Sequence, residues 1–209
     1  MRVFLKDKNN PSWPCKKDYD YHINVSKGDH DPYTWMRDSC LWYSRVLTSH
    51  LGMEKFRDYV EKFNYGNRDL SSDKVGDKGQ NNGLTHAWIS SSLQISAYEQ
   101  ADFWQKIIDQ KFSLRRESYD KTKEIMFIQE LAEGWKLYGK TGNGRQRDSM
   151  GNKTGLQHGW FIGYIEKGKR HIVFASHIAD RKKQNIVASF RARNEALIKL
   201  WHTIDELEG

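Results

Sequence analysis

The chain has 209 residues, 37% of them hydrophobic and 29% charged, with a formal net charge of +7. This is enough for one large domain or two lobes, and no stretch approaches the ~18 consecutive apolar residues of a membrane-spanning helix. Met1-Arg2-Val3-Phe4-Leu5-Lys6 lacks the apolar run and small-residue cleavage site of a secretory signal, and the two cysteines, Cys15 and Cys40, are expected as buried free thiols rather than a disulfide.

Residues 7–33 hold all three prolines (Pro11, Pro14, Pro32) and many Asn/Asp, which predicts irregular connections. Apolar spacing predicts one helix over 34–51 and a second over Met53–Phe63. Residues 66–84 are rich in Gly, Asn, Ser and Asp and read as a loop. Ser96-Ala97-Tyr98-Glu99 is a capping box, so a helix should run from there to about Phe112 on the apolar set Ala97, Ala101, Trp104, Ile107 and Ile108. Another helix is expected over roughly 117–131.

The period then changes. Trp135–Lys140 alternates as a strand does, and Gly142–Gly159 reads as a basic, glycine-rich loop. Trp160–Glu166 and His171–Ile178 are β-like runs joined at Lys167-Gly168-Lys169, a hairpin. A closing helix is expected over about Ser189–Leu207, with Leu197, Leu200, Trp201 and Ile204 on one face. Helices, then an antiparallel meander, then a final helix predict an α+β protein: a helical lobe over about 34–132 beside a sheet hairpin and C-terminal helix over about 133–209.

The positive charge is concentrated. Residues 136–193 hold 13 Lys/Arg against 3 Asp/Glu, whereas residues 1–135 balance. An anionic small molecule would be drawn towards that segment. A nucleic-acid groove is the other use of such charge, but no motif of that class is present. The eight histidines form no H-E-x-x-H, and no Cys/His cluster has zinc spacing.

Within the basic segment lies Lys140-Thr141-Gly142, preceded by the strand-like Leu137-Tyr138-Gly139, and upstream of it lies Tyr65-Gly66-Asn67. Further marks are Thr34-Trp35-Met36, Ser39-Cys40-Leu41-Trp42, Asn81-Asn82-Gly83-Leu84-Thr85, Ala87-Trp88-Ile89, Ser91-Ser92-Leu93 and Leu156-Gln157-His158-Gly159-Trp160-Phe161. Together, in this order and over nearly the whole chain, they resemble a class D (oxacillinase-type) serine β-lactamase of the transpeptidase-like fold. A second Lys-Thr-Gly, Lys153-Thr154-Gly155, lies in the expected polar loop, where no strand is expected to fix it.

Two serines compete for the family's middle S-x-V motif. Ser44-Arg45-Val46 has the letters, while Ser39-Cys40-Leu41 has leucine in place of valine. On one continuous helix at about 100° per residue, Ser39 falls inside the apolar arc and Ser44 at its edge. Ser39 also stands 26 residues before Tyr65, a separation similar to the family's, and it is the serine chosen.

The resemblance implies the following roles. Lys140 supplies positive charge near the substrate carboxylate and the serine hydroxyls, and Thr141 offers that carboxylate a hydroxyl. Gly142 lets the ligand approach the strand edge, and the Asn143 backbone N–H resembles the second oxyanion donor. Trp88 matches the tryptophan that supports the carboxylated lysine, while Tyr65, Gly66 and Asn67 shape the cavity wall. Arg191 stands near where some members carry a carboxylate-binding arginine, or else is a surface residue. No metal is implied, and no cofactor beyond the CO₂ that carboxylates a lysine in intact relatives.

The departure from the family is the absence of S-x-x-K before Ser39. Ser71-Ser72-Asp73-Lys74 and Ser118-Tyr119-Asp120-Lys121 have the letters but come after it. The expectation is therefore an N-terminally truncated, inactive β-lactamase-like chain that binds a β-lactam, with a non-enzymatic penicillin-binding or sensor-type domain as the alternative. Intact members are periplasmic; without a signal sequence this chain is expected in the cytoplasm. An exposed core is expected to favour self-association.

Overall fold

The computed structural model describes residues 12–17, 27–71, 83–89 and 92–209. The marks at Asn81, Asn82 and Ser91, most of Ser71–Lys74, and Pro11 lie outside the described residues. The chain divides into two compact units. One comprises residues up to 94 together with 110–125; the other comprises 95–109 and 126–209.

The first unit is helical: α1 (Pro32–Asp38), α2 (Leu41–Leu51), α3 (Met53–Lys62), the single turn α4 (Gly83–His86) and α6 (Arg116–Met126). The helix expected over 34–51 is broken. Asp31 and Thr34 form a capping box, Pro32 occupies the first turn, and α1 closes at Ser39 in the left-handed region (φ 53°, ψ 45°). Cys40 then caps α2. A left-handed residue cannot continue a helix, so the helical arc used to place Ser39 does not exist, and Ser39 is exposed. One core cluster gathers Cys40, Trp42 and Tyr43 with Trp13, Cys15, Trp35 and Val46. A second joins Val60, Leu70 and Ala87. Both cysteines are free thiols, Cys40 buried and Cys15 half-buried.

The second unit holds α5 (Ala97–Ile108), the strands β1 (Phe127–Glu130), β2 (Lys136–Arg147), β3 (Lys153–Lys167) and β4 (Arg170–Ala179), and α7 (Ala188–Glu208). The sheet is antiparallel in the order β1-β2-β3-β4. The capping box forms: the Ser96 hydroxyl accepts from the Glu99 N–H at 3.2 Å, and the Glu99 carboxylate accepts from the Ser96 N–H at 2.8 Å. α5 ends at Ile108 rather than near Phe112, and it belongs with the sheet rather than with the other helices. The helix expected to reach Leu131 stops at Met126, where β1 begins.

The largest difference is in the basic segment. Gly142–Gly159 is not a loop: β2 and β3 pair from Lys136↔Glu166 to Arg147↔Lys153, leaving a turn of five residues. The second Lys-Thr-Gly therefore begins a strand, although Gly155 has φ 79° and the register shifts nearby. Among the glycines that look like loop markers, Gly144 lies against the His158 side chain and Gly159 is a close-approach point for backbone.

The sheet's core face carries Trp135, Leu137, Phe161 and Ile165 against Ala192, Ala196, Leu200 and Ile204 of α7. These four helix positions are four apart, so small alanines set the buried stripe. Trp201, expected on that face, is 60% exposed. Gly159 lies where α7 begins: a Cβ there would stand 2.1 Å from the Ala188 carbonyl carbon and 2.2 Å from the Ser189 nitrogen. At Gly142, by contrast, a Cβ would meet only the Trp160 Cβ, at 3.7 Å.

Gly159→Ala should thus destabilise the protein strongly, by ~3 kcal/mol or more because backbone must move. Gly142→Ala should change stability by less than about 0.5 kcal/mol. Thermal melts of the two variants beside the parent check this; equal shifts would contradict the close approach at Gly159.

Candidate active site

Lys140, Thr141, Gly142 and Asn143 are consecutive on β2, each paired with β3, opposite Ile162, Phe161, Trp160 and Gly159. On the other side of β2, β1 reaches only residues 136–138. Among the described residues, no strand of this sheet covers that edge from Gly139 onward. The backbone groups along it face outward, as an added extended ligand requires.

Alternation puts Tyr138, Lys140 and Gly142 on the sheet face opposite the α7 core. There Tyr138 stacks on Tyr164, and Tyr164 packs against Trp104 of α5. Lys140 is mostly buried. Burial lowers its pKa to about 8, because a desolvated ammonium is disfavoured. Its Nζ donates to the Thr141 carbonyl at 2.9 Å.

Beyond Gly142 the strand is clamped to α7. The Asn143 side-chain carbonyl accepts from the Ser189 N–H at 3.3 Å, and its amide donates to Gln157 Oε1 at 3.2 Å. That same Gln157 oxygen accepts from the Ala188 N–H at 3.4 Å. Two sheet side chains thus cap the first turn of α7, whose own cap residue, Val187, has no side-chain acceptor. Buried Asp180 accepts from the Gln157 N–H and from the Arg191 guanidinium, and its carbonyl accepts from the Gln146 side chain at 2.9 Å. Arg191 also donates to the Ile186 carbonyl at 3.2 Å. Its guanidinium is engaged in this internal ion pair and helix-entry contact. Sequence reasoning assigned no role to Gln157, Asp180 or Gln146; their partners are distant in sequence, and no spacing marks them.

In the helical unit, Ser44 is braced. Its hydroxyl accepts from the Trp35 indole N–H at 2.8 Å and donates to the Cys40 carbonyl at 3.4 Å, tying α1 to α2. Ser39 stands at the strained break between the same helices. Trp88 follows α4, and its indole N–H donates to the Leu84 carbonyl at 3.1 Å. Tyr65 and Gly66 make a turn (Gly66 φ 54°). Asn67 stitches that turn to the following segment: its Oδ1 accepts from Asp69 and Gln94 N–H, and its Nδ2 donates to the Ser92 carbonyl at 2.8 Å.

The lowered Lys140 pKa has a signed consequence. The unfolded lysine titrates near its ordinary value of 10.5 and the folded one near 8. Between these values the unfolded state holds more protons, so this group makes stability rise with pH through that window. Lys140→Met should remove the rise and be more stable at pH 7, by on the order of 1–3 kcal/mol. Urea unfolding of both proteins at pH 7 and pH 9.5 checks this; a variant less stable than the parent at pH 7 would contradict it.

The model of the penicillin binding protein transpeptidase domain matches residues 2–197. β-Lactamase OXA-9 of Klebsiella pneumoniae is 37% identical over 202 residues, covering 94% of this chain and 71% of that protein. Among solved structures, the OXA-427 class D β-lactamase superposes with a TM-score of 0.88 at 35% identity, over 99% of this chain and 83% of that one. The C-terminal domain of the Bacillus licheniformis BlaR penicillin-receptor superposes with a TM-score of 0.77 at 28% identity, over 93% and 70%. The chain belongs to the penicillin-binding transpeptidase-domain family, among the OXA-type class D β-lactamases.

Proposed function

We propose that the sheet unit carries the holding half of a β-lactam site. The observation that carries this is the β2 edge at Lys140–Asn143, which no strand among the described residues covers, with a half-buried lysine and open space beside Gly142. The ligand carboxylate is held by the Lys140 ammonium and the Thr141 hydroxyl, with charge-assisted bonds at both. The Asn143 N–H is aimed at the oxyanion that develops on the lactam carbonyl. Gly142 leaves the room that a bulky fused ring needs against the strand.

Ser39 carries the middle-motif hydroxyl. The support is no longer helical phase but its left-handed backbone at a helix break, a strain of the kind held at functional positions, together with the structural engagement of its rival Ser44. Trp88 is the supporting indole; its N–H is turned to Leu84. Tyr65, Gly66 and Asn67 shape the wall. Arg191 supports the start of α7 through Asp180, in place of binding a carboxylate.

The reaction served is opening of the lactam amide through an acyl-serine intermediate. Residues 1–209 hold no S-x-x-K ahead of Ser39, so this polypeptide alone lacks nucleophile and base for turnover. A sensor-type, acylated but non-hydrolysing protein is the second reading, favoured by the likeness to the BlaR penicillin-receptor domain.

Purified residues 1–209 should not hydrolyse a chromogenic β-lactam above buffer. Fusing the N-terminal segment of a class D relative, including its S-x-x-K helix, ahead of about Leu5 should restore hydrolysis. In that fusion Lys140→Ala and Ser39→Ala should each cost ~10²-fold or more in kcat. Ser44→Ala should lower Tm but spare kcat, and Lys153→Ala should do little. Turnover by 1–209 itself, or a crippling Ser44→Ala beside a silent Ser39→Ala, would contradict the assignment. A fusion that acylates without turning over would favour the sensor reading.

A further inference from the structure

A cavity of about 400 Å³ opens where β2 and β3 meet the start of α7, lined by Asn143, Arg145, Gly155, Gln157 and Val187. That volume is in the range of small-ligand sites. Alternation sets Thr141, Asn143 and Arg145 on the sheet face that meets α7, as the bond from the Ser189 N–H to Asn143 requires. At about 3.4 Å per residue, the cavity begins ~7 Å past Thr141 along the strand.

The charge around it is positive. Arg145 and Lys183 are both exposed, and Lys183 lies over Gly155: a Cβ there would stand 3.2 Å from the lysine Cε and 3.9 Å from its Nζ. Among the described residues, neither cation has a carboxylate within ion-pair distance. Asp180, beside Gln157, is held by Arg191 and the Gln157 N–H, and Asp148 is held by the N–H groups of its own turn. The side chains that cap α7 are the neutral amides of Asn143 and Gln157, so they do not cancel the positive end of the helix. The β-lactam reading above, on which this inference rests, fixes how a ligand points. Its carboxylate sits at Thr141 and its lactam carbonyl at the Asn143 N–H. The acylamino arm branches from the carbon beyond that carbonyl, so it runs on towards Arg145. We propose that Arg145 and Lys183 form a second anion subsite, which takes a carboxylate carried on the acyl arm and makes the protein favour dianionic β-lactams over monoanionic ones. Val187 supplies an apolar wall for the carbon atoms of that arm.

Backbone-amide NMR titrations of residues 1–209 at pH 7 test the proposal with two probes. One is benzylpenicillin, whose acyl arm is uncharged; the other is carbenicillin, the same molecule with a carboxylate on that arm. Carbenicillin should bind about fivefold more tightly at low salt, with added shifts at Arg145, Gly155 and Gln157. The preference should shrink in 0.5 M salt. Arg145→Gln with Lys183→Gln, both at exposed positions, should bring the ratio of the two dissociation constants to about one, whereas Arg145→Lys should keep most of the preference. Equal affinities, with shifts still centred on Lys140–Asn143, overturn the subsite and leave the β2 edge as the ligand's seat. A preference for carbenicillin that survives the double substitution overturns the subsite as well. A folded protein that shifts for neither compound overturns both the subsite and the reading it rests on.

Discussion

The sheet unit depends on one constraint: α7 must enter directly over β3 at Gly159, where no side chain fits between helix and strand. Such an approach leaves the first N–H groups of the helix with little access to water. Asn143 and Gln157 meet them from the sheet, and Asp180 with Arg191 closes the cluster behind. The Asp180 side chain is only 2% exposed, and removing one partner of such a pair is costly, typically about 3–5 kcal/mol. The same network fixes the end of β2. Asn143 cannot shift without uncapping α7, so the Gly142–Asn143 peptide is held by the contacts its side chain makes with Gln157 and the start of α7.

Lys140 shows the opposite trade. A lysine set on a largely buried sheet face lowers stability, and its reduced pKa is the sign of that cost. Aromatic packing around it, Tyr138 on Tyr164 and Tyr164 against Trp104, supplies burial that offsets the loss. An ammonium kept in poor solvent gains when a ligand brings a carboxylate to it.

Much of this was legible in the residues. The capping box at Ser96–Glu99 has only one structural meaning, and the strand before Lys140 and the final helix announce themselves by period. The order of motifs was enough to give the family. What failed did so for identifiable reasons. Glycines at 142, 144, 155 and 159 look like a loop because composition cannot distinguish a turn from a glycine-bearing strand, and only at Gly159 does another element's backbone come too close for a side chain. The single helix over 34–51 was broken by one left-handed serine, a backbone choice that apolar spacing does not encode. On α7, bulk misled: Trp201 faces out, and Ala192 and Ala196 face in, because the space above the sheet is narrow. The Gln157–Asp180–Arg191 network joins residues far apart in the chain, so no local pattern could reveal it.

The central claim is that the β2 edge at Lys140–Asn143 receives the ligand's carboxylate. The most direct measurement is a backbone-amide NMR titration of residues 1–209 with a penicillin at pH 7, repeated with Thr141→Val. Shifts centred on Lys140, Thr141, Gly142 and Asn143, saturating in the millimolar range and lost in the variant, are what the account predicts. Saturating shifts centred elsewhere, or none at all from a folded protein at ~20 mM ligand, would contradict it.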